Sequence, residues 1–207
     1  MKRSASSKKW LRRHVNDPWV QRSKREGYRS RSAYKLTEID DRDRILVPGA
    51  VVVDLGAAPG GWTQVAVKRI GSKGLVVAVD LLEMEAVPGA SFVRADFSTD
   101  AGLAAVVAAL GGTRADAVLS DMSPNISGIA ISDQARAMAL AELARDFALS
   151  HLKPGGAFVV KVFQGVGYEE FHKSLRAGFE KVVVRKPEAS RGESAELYVL
   201  ARGLRTG

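Results

Sequence analysis

The chain has 207 residues, of which 46% are hydrophobic and 26% charged, a balance typical of a globular protein with room for one core. It contains no cysteine, which excludes disulfides, Cys-ligated zinc, iron–sulfur clusters and a cysteine nucleophile. Its three histidines (His14, His151 and His172) show no metal-ligand spacing, so we expect no metal site. No apolar run reaches the roughly 18 residues of a membrane span. We expect a cytoplasmic protein with no membrane contact. We also expect a monomer.

The N-terminal sixth carries the whole basic excess. Residues 1–35 hold 12 Lys or Arg and 2 acidic residues, whereas residues 36–207 hold 19 and 21. Four aromatic residues are interleaved with the basic ones: Trp10, Trp19, Tyr28 and Tyr34. Basic side chains neutralise phosphates and aromatic rings stack on bases. Because the basic segment runs directly into a predicted helix, nucleic-acid binding is favoured over a solvated tail or a transit peptide. We place a basic nucleic-acid-binding extension at 1–31 and a single domain at 32–207.

After a predicted helix in SAYKLTEIDDRDRI, strands and helices alternate. The predicted strands lie at 50–54, 75–80, 91–95, 116–121, 157–163, 181–185 and 196–202. The predicted helices between them lie at 61–70, 99–110, 132–151 and 168–178. Continuous apolar runs describe strands that are buried on both faces. This pattern predicts an α/β, Rossmann-like fold with a seven-stranded, mostly parallel sheet, helices on both faces, and an antiparallel last strand pair.

The stretch VVVDLGAAPGGWTQ, residues 51–64, combines a strand, a glycine-rich turn and the start of a helix. The second strand ends at Asp80, 20 residues after Gly60, where an acid accepts the ribose hydroxyls of an adenosine. The dinucleotide and P-loop fingerprints are absent, and Pro59 lacks an amide that a pyrophosphate would use. S-adenosylmethionine therefore fits better than NAD. Asp96, after the third strand, suits either the adenine amino group or a helix cap.

The fourth and fifth strands carry the candidates for chemistry. The fourth ends in SDMSPN, which lacks the aromatic residue that enzymes methylating base amino groups place there. Without a cysteine, the usual route to pyrimidine carbon-5 is also missing, and both absences favour a hydroxyl acceptor. The fifth strand, AFVVKVFQG, contains Lys161 among apolar residues. That lysine suits a snorkelling edge residue or a catalytic base equally well.

Seven segments in chain order resemble the FtsJ/RrmJ (RlmE) family of ribosomal RNA large-subunit methyltransferases. They are YRSRSAYKL, VVDLGAAPGGWTQ, VAVDLL, ADF, LSDMSPN, KPGGAFVVKVFQG and SRGESAELYVLARG. With the basic start KRSASSKKWL, the resemblance covers nearly the whole chain. It implies an S-adenosylmethionine-dependent methyltransferase that modifies a uridine ribose 2′-hydroxyl in 23S rRNA of the large subunit.

The resemblance also implies the site residues. The matching catalytic tetrad is Lys35, Asp121, Lys161 and Glu196, with Lys161 as the proton acceptor. The matching cofactor site comprises Gly56, Pro59, Gly60, Trp62, Asp80, Asp96 and Asp121. Burial and the second cation of Lys35 would favour loss of the Lys161 proton, whereas the two acids would oppose it. The alternatives are a relative that acts on tRNA or an RNA cap, a non-catalytic ribosome-assembly factor, and, more distantly, a dehydrogenase.

Overall fold

The structure is a computed structural model that describes residues 15–190 and 194–205. The first 14 residues, which include Trp10 and more than half of the basic residues assigned to the RNA-binding extension, lie outside the described residues. None of the helices in the described ranges is long and apolar enough to cross a membrane.

Seven strands form one sheet. They are β1 (Val51–Leu55), β2 (Leu75–Asp80), β3 (Ala90–Arg94), β4 (Ala115–Ser120), β5 (Leu152–Phe163), β6 (Phe179–Arg185) and β7 (Glu196–Leu204). Their order across the sheet is β3-β2-β1-β4-β5-β7-β6. The strands from β3 to β5 pair in parallel, and β7 runs antiparallel to both β5 and β6. The predicted mostly parallel sheet with an antiparallel last pair is therefore confirmed.

Six helices flank this sheet within the described residues. They are α1 (Pro18–Arg25), α2 (Ser32–Asp43), α3 (Gly61–Ile70), α4 (Asp100–Ala109), α5 (Ala130–His151) and α6 (Tyr168–Gly178). The four helices predicted between strands are confirmed to within two residues at each end. Helix α1 was not predicted. It begins at Pro18 because proline suits the first turn and the Asp17 carboxylate caps it, accepting from the Trp19 amide at 3.0 Å.

The core has one layer on each face of the sheet, as successive strand residues point to opposite sides. Val53 of β1 faces the layer that contains Phe147 of α5 and Phe171 of α6. Its neighbour Val52 faces the layer that contains Leu36 of α2 and Trp62 of α3. The prediction of helices on both faces is confirmed, and α2 is part of the packed domain.

The predicted start of the fifth strand was wrong by five residues. Strand β5 follows α5 directly at Leu152, so Pro154, Gly155 and Gly156, which lie between the predicted helix and the predicted strand, are inside the strand. The pairing shows the reason: Ala115 of β4 lies opposite Leu152, but Ala117 lies opposite Ala157. Five residues of β5 thus match a two-residue step of β4, and Gly155 takes a positive φ of 77° within this bulge.

The strand order reverses between β1 and β4. The chain moves outward from β1 through β2 to β3 and then returns to place β4 on the other side of β1. In open α/β sheets, the crevice at the carboxyl ends of the strands at such a reversal is the usual ligand site. The expected ligand site is therefore formed by the residues that follow β1, β2, β3 and β4.

Candidate active site at the carboxyl edge of the sheet

The glycine-rich turn after β1 closes tightly onto its neighbours. The Gly56 and Ala57 amides both donate to the Val79 carbonyl, at 2.9 and 3.0 Å. Gly56 has a φ of 77°, and a Cβ there would lie 2.5 Å from Met122 Cγ and 3.1 Å from Met122 Cα. The segment after β4 thus lies directly against the turn, and a side chain at position 56 would push the two apart.

Asp80 ends β2 with its carboxylate fixed by main-chain amides. Oδ2 accepts from the Ala58 amide at 2.9 Å, and Oδ1 accepts from the Leu82 amide at 2.8 Å. Each oxygen retains a second lone pair for a ligand. The turn after β1 and the segment after β2 therefore position a single carboxylate at the crevice.

Asp96 follows β3 and is positioned by its own loop. Its Oδ1 accepts from the Ser98 hydroxyl at 2.6 Å and the Ser98 amide at 2.9 Å, and these two bonds lower the pKa of the carboxyl. Thr99, not Asp96, is the N-cap of α4, since its hydroxyl accepts from the Gly102 amide. The helix-cap interpretation of Asp96 is therefore wrong, and Asp96 instead lines the crevice.

These carboxylates border a cavity of about 780 Å³. Four of the predicted cofactor residues line it: Gly56, Asp80, Asp96 and Asp121. Apolar side chains complete much of the lining, among them Val79, Phe97, Leu140 and Leu143. The combination of a mostly apolar wall with a few convergent carboxylates is typical of a small-molecule or cofactor site.

The other three predicted cofactor residues, Pro59, Gly60 and Trp62, are not among the residues that line the cavity. The Trp62 indole is buried and donates from Nε1 to the Ser32 carbonyl at 2.8 Å. Its ring packs against Tyr198 at a centroid distance of 5.6 Å. The structure thus gives the indole a packing role, and a contact between this turn and a cofactor stays a prediction.

The predicted tetrad assembles as two lysine–carboxylate pairs. Lys161 Nζ donates to the Asp121 main-chain carbonyl at 2.7 Å and lies 3.2 Å from Asp121 Oδ1. Lys35 Nζ donates to Glu196 Oε1 at 2.5 Å. The four residues come from α2, the end of β4, β5 and β7, so only the tertiary fold brings them together. Asp121 belongs both to this cluster and to the cavity lining.

Glu196 has a second hydrogen-bond partner besides Lys35. Oε1 accepts from the Ser190 hydroxyl at 2.9 Å in addition to the lysine. Burial alone would raise the pKa of the Glu196 carboxyl, but the Lys35 charge and the two hydrogen bonds hold it below its usual value. Glu196 is therefore an anion that fixes the Lys35 ammonium in place.

Tyr198 joins the two pairs, and the sequence analysis missed it. Its hydroxyl donates to Asp121 Oδ1 at 2.8 Å, and Lys35 Nζ lies 5.5 Å from its ring centroid. Burial, together with the nearby charges of Asp121 and Glu196, raises the pKa of the Tyr198 phenol well above its usual value. A signal was available: Tyr198 lies two residues beyond Glu196 on one strand, so both side chains share a face.

Asp54 is a second residue that the sequence analysis passed over. It is fully buried in β1, where Oδ2 accepts from the Thr63 hydroxyl at 2.7 Å and Oδ1 has no hydrogen-bond partner. Burial raises the pKa of the Asp54 carboxyl to about 7, and the negative charges of Asp121 and Asp80 add to this effect, whereas the Thr63 hydrogen bond opposes it. The Asp54 carboxyl is therefore protonated over much of the acidic pH range.

Among the residues that the structure describes, no group of three or more His, Cys, Asp or Glu side chains is arranged to hold a metal ion.

An α/β sheet with this strand order, an acid-lined crevice at its reversal point and an antiparallel β7 defines the class of Rossmann-like methyltransferases. The model of the FtsJ-like methyltransferase family matches residues 28–204, and the chain belongs to this family. It is 58% identical over 205 residues to "Ribosomal RNA large subunit methyltransferase E" of Azoarcus sp. (strain BH72), covering 99% of this chain and 100% of that protein.

Other relatives agree with this membership. A protein of the same name from Dechloromonas aromatica (strain RCB) is 57% identical, with 99% of this chain and 100% of that protein covered. Among solved structures, a crystal structure described as a ribosomal RNA methyltransferase of Plasmodium falciparum superimposes with a TM-score of 0.76 at 25% identity, covering 86% of this chain and 98% of that chain.

Proposed function

We propose that this protein transfers the methyl group of S-adenosylmethionine to the 2′-hydroxyl of a uridine ribose in 23S rRNA of the large ribosomal subunit. One observation carries the proposal: Asp121 lines the cavity together with Asp80 and Asp96, and it also pairs with Lys161 of the tetrad. A cofactor site and a cluster suited to activating a hydroxyl therefore share a residue. The full-length relatives, named as ribosomal RNA large-subunit methyltransferases, support RNA as the substrate class.

The cavity suits this cofactor. Asp80 and Asp96 present carboxylates that can accept from ribose hydroxyls and from an adenine amino group, while the apolar wall can enclose the base. Of the described residues, Arg136 alone brings a positive charge to the lining, which agrees with a cofactor that has no phosphates. When bound, S-adenosylmethionine supplies a methyl group on a sulfonium that carries its own leaving group.

The tetrad then has to orient the attacking oxygen and remove its proton. Lys161 is the proposed proton acceptor, because its Nζ lies beside Asp121 at the junction with the cavity. Asp121 holds that Nζ through two oxygens, its carbonyl and Oδ1. For this step Lys161 has to be in its neutral amine form, and Lys35, fixed by Glu196, supplies the cation that can stabilise negative charge on the ribose oxygen. Alignment of the reacting atoms accounts for the remaining part of catalysis.

The basic extension is the proposed source of electrostatic affinity for RNA. Its described part is tied to the domain near Arg29, whose guanidinium donates to the Glu85 carbonyl at 2.6 Å and the Ala86 carbonyl at 2.8 Å. The Arg29 amide donates to Gln64 Oε1 at 2.9 Å. The boundary at residue 31 is part of the proposal, and these bonds join the extension to the segment after β2 and to α3.

The test is transfer of a tritiated methyl group from S-adenosylmethionine to naked 23S rRNA, free large subunits, whole ribosomes and tRNA, followed by mapping of the labelled nucleotide. We expect label on one uridine 2′-oxygen of 23S rRNA in at least one of the ribosomal substrates. Label on tRNA instead would overturn the substrate. A protein that binds S-adenosylmethionine but labels no RNA would overturn catalysis and favour an assembly factor.

A further inference from the structure

Four aliphatic side chains project into solvent from the two segments that follow the tetrad residues Asp121 and Lys161. They are Ile126, Ile129, Ile131 and Val166, with exposed fractions of 81, 66, 84 and 85%, and we call them the aliphatic ledge. Single exposed aliphatic residues are common on protein surfaces. A group of them at one edge of a sheet, however, marks a contact surface.

The segment that carries the three isoleucines is held in a fixed shape. Asp133, in the first turn of α5, accepts from the Ser127 amide and hydroxyl at 2.9 and 2.7 Å and from the Gly128 amide at 3.0 Å. The bonds from Ser127 are the main reason that the pKa of this carboxyl falls to about 2. The isoleucines are therefore displayed by an organised loop.

The segment that carries Val166 is fixed by the next residue of the same helix. Gln134 Nε2 donates to the Phe163 carbonyl at 3.2 Å and to the Val166 carbonyl at 3.1 Å. The first turn of α5 thus holds both segments at once, one through Asp133 and one through Gln134. The four aliphatic side chains consequently belong to one preformed surface at the carboxyl edge of the sheet.

This surface lies close to the proposed reaction. Ile126 is five residues from Asp121, and Val166 is five residues from Lys161. Since a chain extends by at most about 3.6 Å per residue, each lies within about 18 Å of its tetrad partner. Nucleotides on either side of a ribose held at Lys161 would therefore reach the ledge.

The composition of the two segments indicates which part of RNA they can contact. Residues 122–131 and 164–167 contain no charged residue, so they cannot neutralise phosphates. They contain no aromatic residue either, so their exposed side chains of greatest apolar area are the four aliphatic ones. The net positive charge of the protein is carried by residues 1–35. This division suits RNA that presents phosphates to the basic extension and bases to the ledge.

We infer that the aliphatic ledge packs against the unstacked bases of the nucleotides flanking the methylated ribose. The inference rests on the proposed function, and it assigns to the ledge the role that aromatic platforms have in other single-strand binders. A ribosomal protein is the competing occupant. RNA is favoured because the reacting ribose itself must enter at this edge, and its neighbours then cannot avoid the two segments.

The test is a cycle that combines a protein variant with a modified RNA. The variant replaces the ledge residues by serine (Ile126→Ser, Ile129→Ser, Ile131→Ser and Val166→Ser). The control replaces two exposed valines away from this edge, Val47→Ser before β1 and Val107→Ser on α4. The wild type, the ledge variant and the control variant are each measured for RNA affinity and for single-turnover methylation. The substrate is whichever ribosomal substrate the wild type methylates. That substrate is made with intact rRNA or with abasic nucleotides flanking the target.

With intact RNA, we expect the ledge variant to bind about tenfold more weakly or worse, since serine no longer packs against one or two of the bases. The dependence of affinity on salt and the affinity for S-adenosylmethionine should be unchanged, because the ledge touches neither phosphates nor the cofactor. With abasic RNA, wild type and variant should bind alike. The control should match the wild type on both RNAs.

A weakening of the same size on intact and abasic RNA would overturn the inference. A photoreactive p-benzoylphenylalanine in place of Ile126 gives an independent reading on assembled subunits: cross-links to nucleotides beside the target support the ledge, and cross-links to a ribosomal protein overturn it. If the wild type methylates RNA and the ledge variant is equally active, the inference about the ledge is refuted and the proposed function stands. A wild type that methylates no RNA would refute the proposed function instead.

Discussion

The carboxylates on the two sides of the crevice are held in different ways. On the side of β2 and β3, Asp80 and Asp96 accept from main-chain amides and a hydroxyl within their own turns or the adjacent turn. On the side of β4, β5 and β7, Asp121 and Glu196 accept from lysines far away in the chain. The first pair is partly open to solvent, whereas Glu196 is buried.

This difference predicts different effects when a carboxylate is removed from one side of the crevice or from the other. An acid positioned by nearby amides is set by the local turn, so its removal should mainly affect the ligand it binds. An acid paired with a buried lysine is part of the packing, and its removal leaves a charge without a partner in a medium of low dielectric. We therefore expect binding defects on the side of β2 and β3, and combined catalytic and stability defects on the tetrad side.

The largest effect is expected at Lys161. Lys161→Ala should lower single-turnover methylation by at least about 10²–10⁴-fold, the range that proton transfer contributes, while cofactor and RNA still bind. Lys161→Arg should not restore the rate, because a guanidinium does not give up its proton at working pH. The measurement is methyl transfer at saturating RNA and cofactor. An active Lys161→Arg enzyme would leave Lys161 as a positioning cation.

The next effect tests whether the tetrad is also a stability element. Glu196→Gln removes the anion that faces the buried Lys35 ammonium, and we expect the free energy of unfolding to fall by about 3 kcal/mol. Denaturant titration measures it. The paired variant Lys35→Met with Glu196→Met should recover most of the stability but none of the activity, because no unpaired charge remains. Asp96→Ala is the control on the side of β2 and β3, and we expect it to lower the unfolding midpoint less than Glu196→Gln does. Equal shifts in the two variants would contradict the difference between locally held and lysine-paired carboxylates.

Asp54 is buried in β1, and its contribution to the free energy of unfolding depends on pH. Its folded pKa of about 7 exceeds the usual 3.8, so the folded state holds a proton that the unfolded chain releases. The associated stability is fully present below pH 3.8 and is lost as the pH rises through about 7. The isosteric Asp54→Asn keeps an oxygen for Thr63 and does not titrate. It should match the wild type near pH 4 and be more stable at pH 8, by up to about 4 kcal/mol.

Thermal unfolding of the wild type and Asp54→Asn between pH 4 and pH 9 measures this difference. A gap between the two proteins that stays constant over this range would show that Asp54 does not titrate as inferred. A gap that narrows as the pH rises would reverse the sign and contradict the raised pKa.

On the side of β2 and β3, Asp80→Ala should weaken S-adenosylmethionine binding by about tenfold or more, since a hydrogen bond to a charged group contributes roughly 1.5–3 kcal/mol. Calorimetric titration measures it. The fold should survive, because Asp80 lies at a strand end and is only partly buried. Wild-type affinity in a folded Asp80→Ala protein would break the assignment of the cavity to this cofactor.

The smallest effect concerns the basic extension. Replacing Lys8, Lys9, Arg12 and Arg13 by Gln should flatten the plot of log RNA affinity against log salt by about 0.7–0.9 for each phosphate that is no longer neutralised. Cofactor affinity should not change. These residues lie outside the described residues, so the expectation rests on charge alone. Four exposed lysines of the domain form the matched control: Lys68, Lys73, Lys173 and Lys181. An equal flattening in the control would remove any special role of the extension.

The sequence by itself determined the architecture and the local turns. Apolar runs broken by glycines indicated the order of strands and helices, because a strand buried on both faces needs a continuous apolar run. The turn at Gly56 and the acid at Asp80 were also readable, since both depend on a few adjacent residues. The identity of the tetrad residues came from the resemblance to a family, and the geometry then showed that they meet.

Only the tertiary structure decided which lysine pairs with which acid. Lys35 lies against Glu196 because α2 packs on the face of the sheet where β7 presents that carboxylate, 161 residues further along the chain. The same packing buries Tyr198 between the two pairs. The tertiary structure also shows that Asp54 Oδ1 has no hydrogen-bond partner. The start of β5 likewise depended on its neighbour, since the bulge exists only in the pairing with β4. Contacts between distant segments are set by strand register and helix packing, and no local pattern of residues records them.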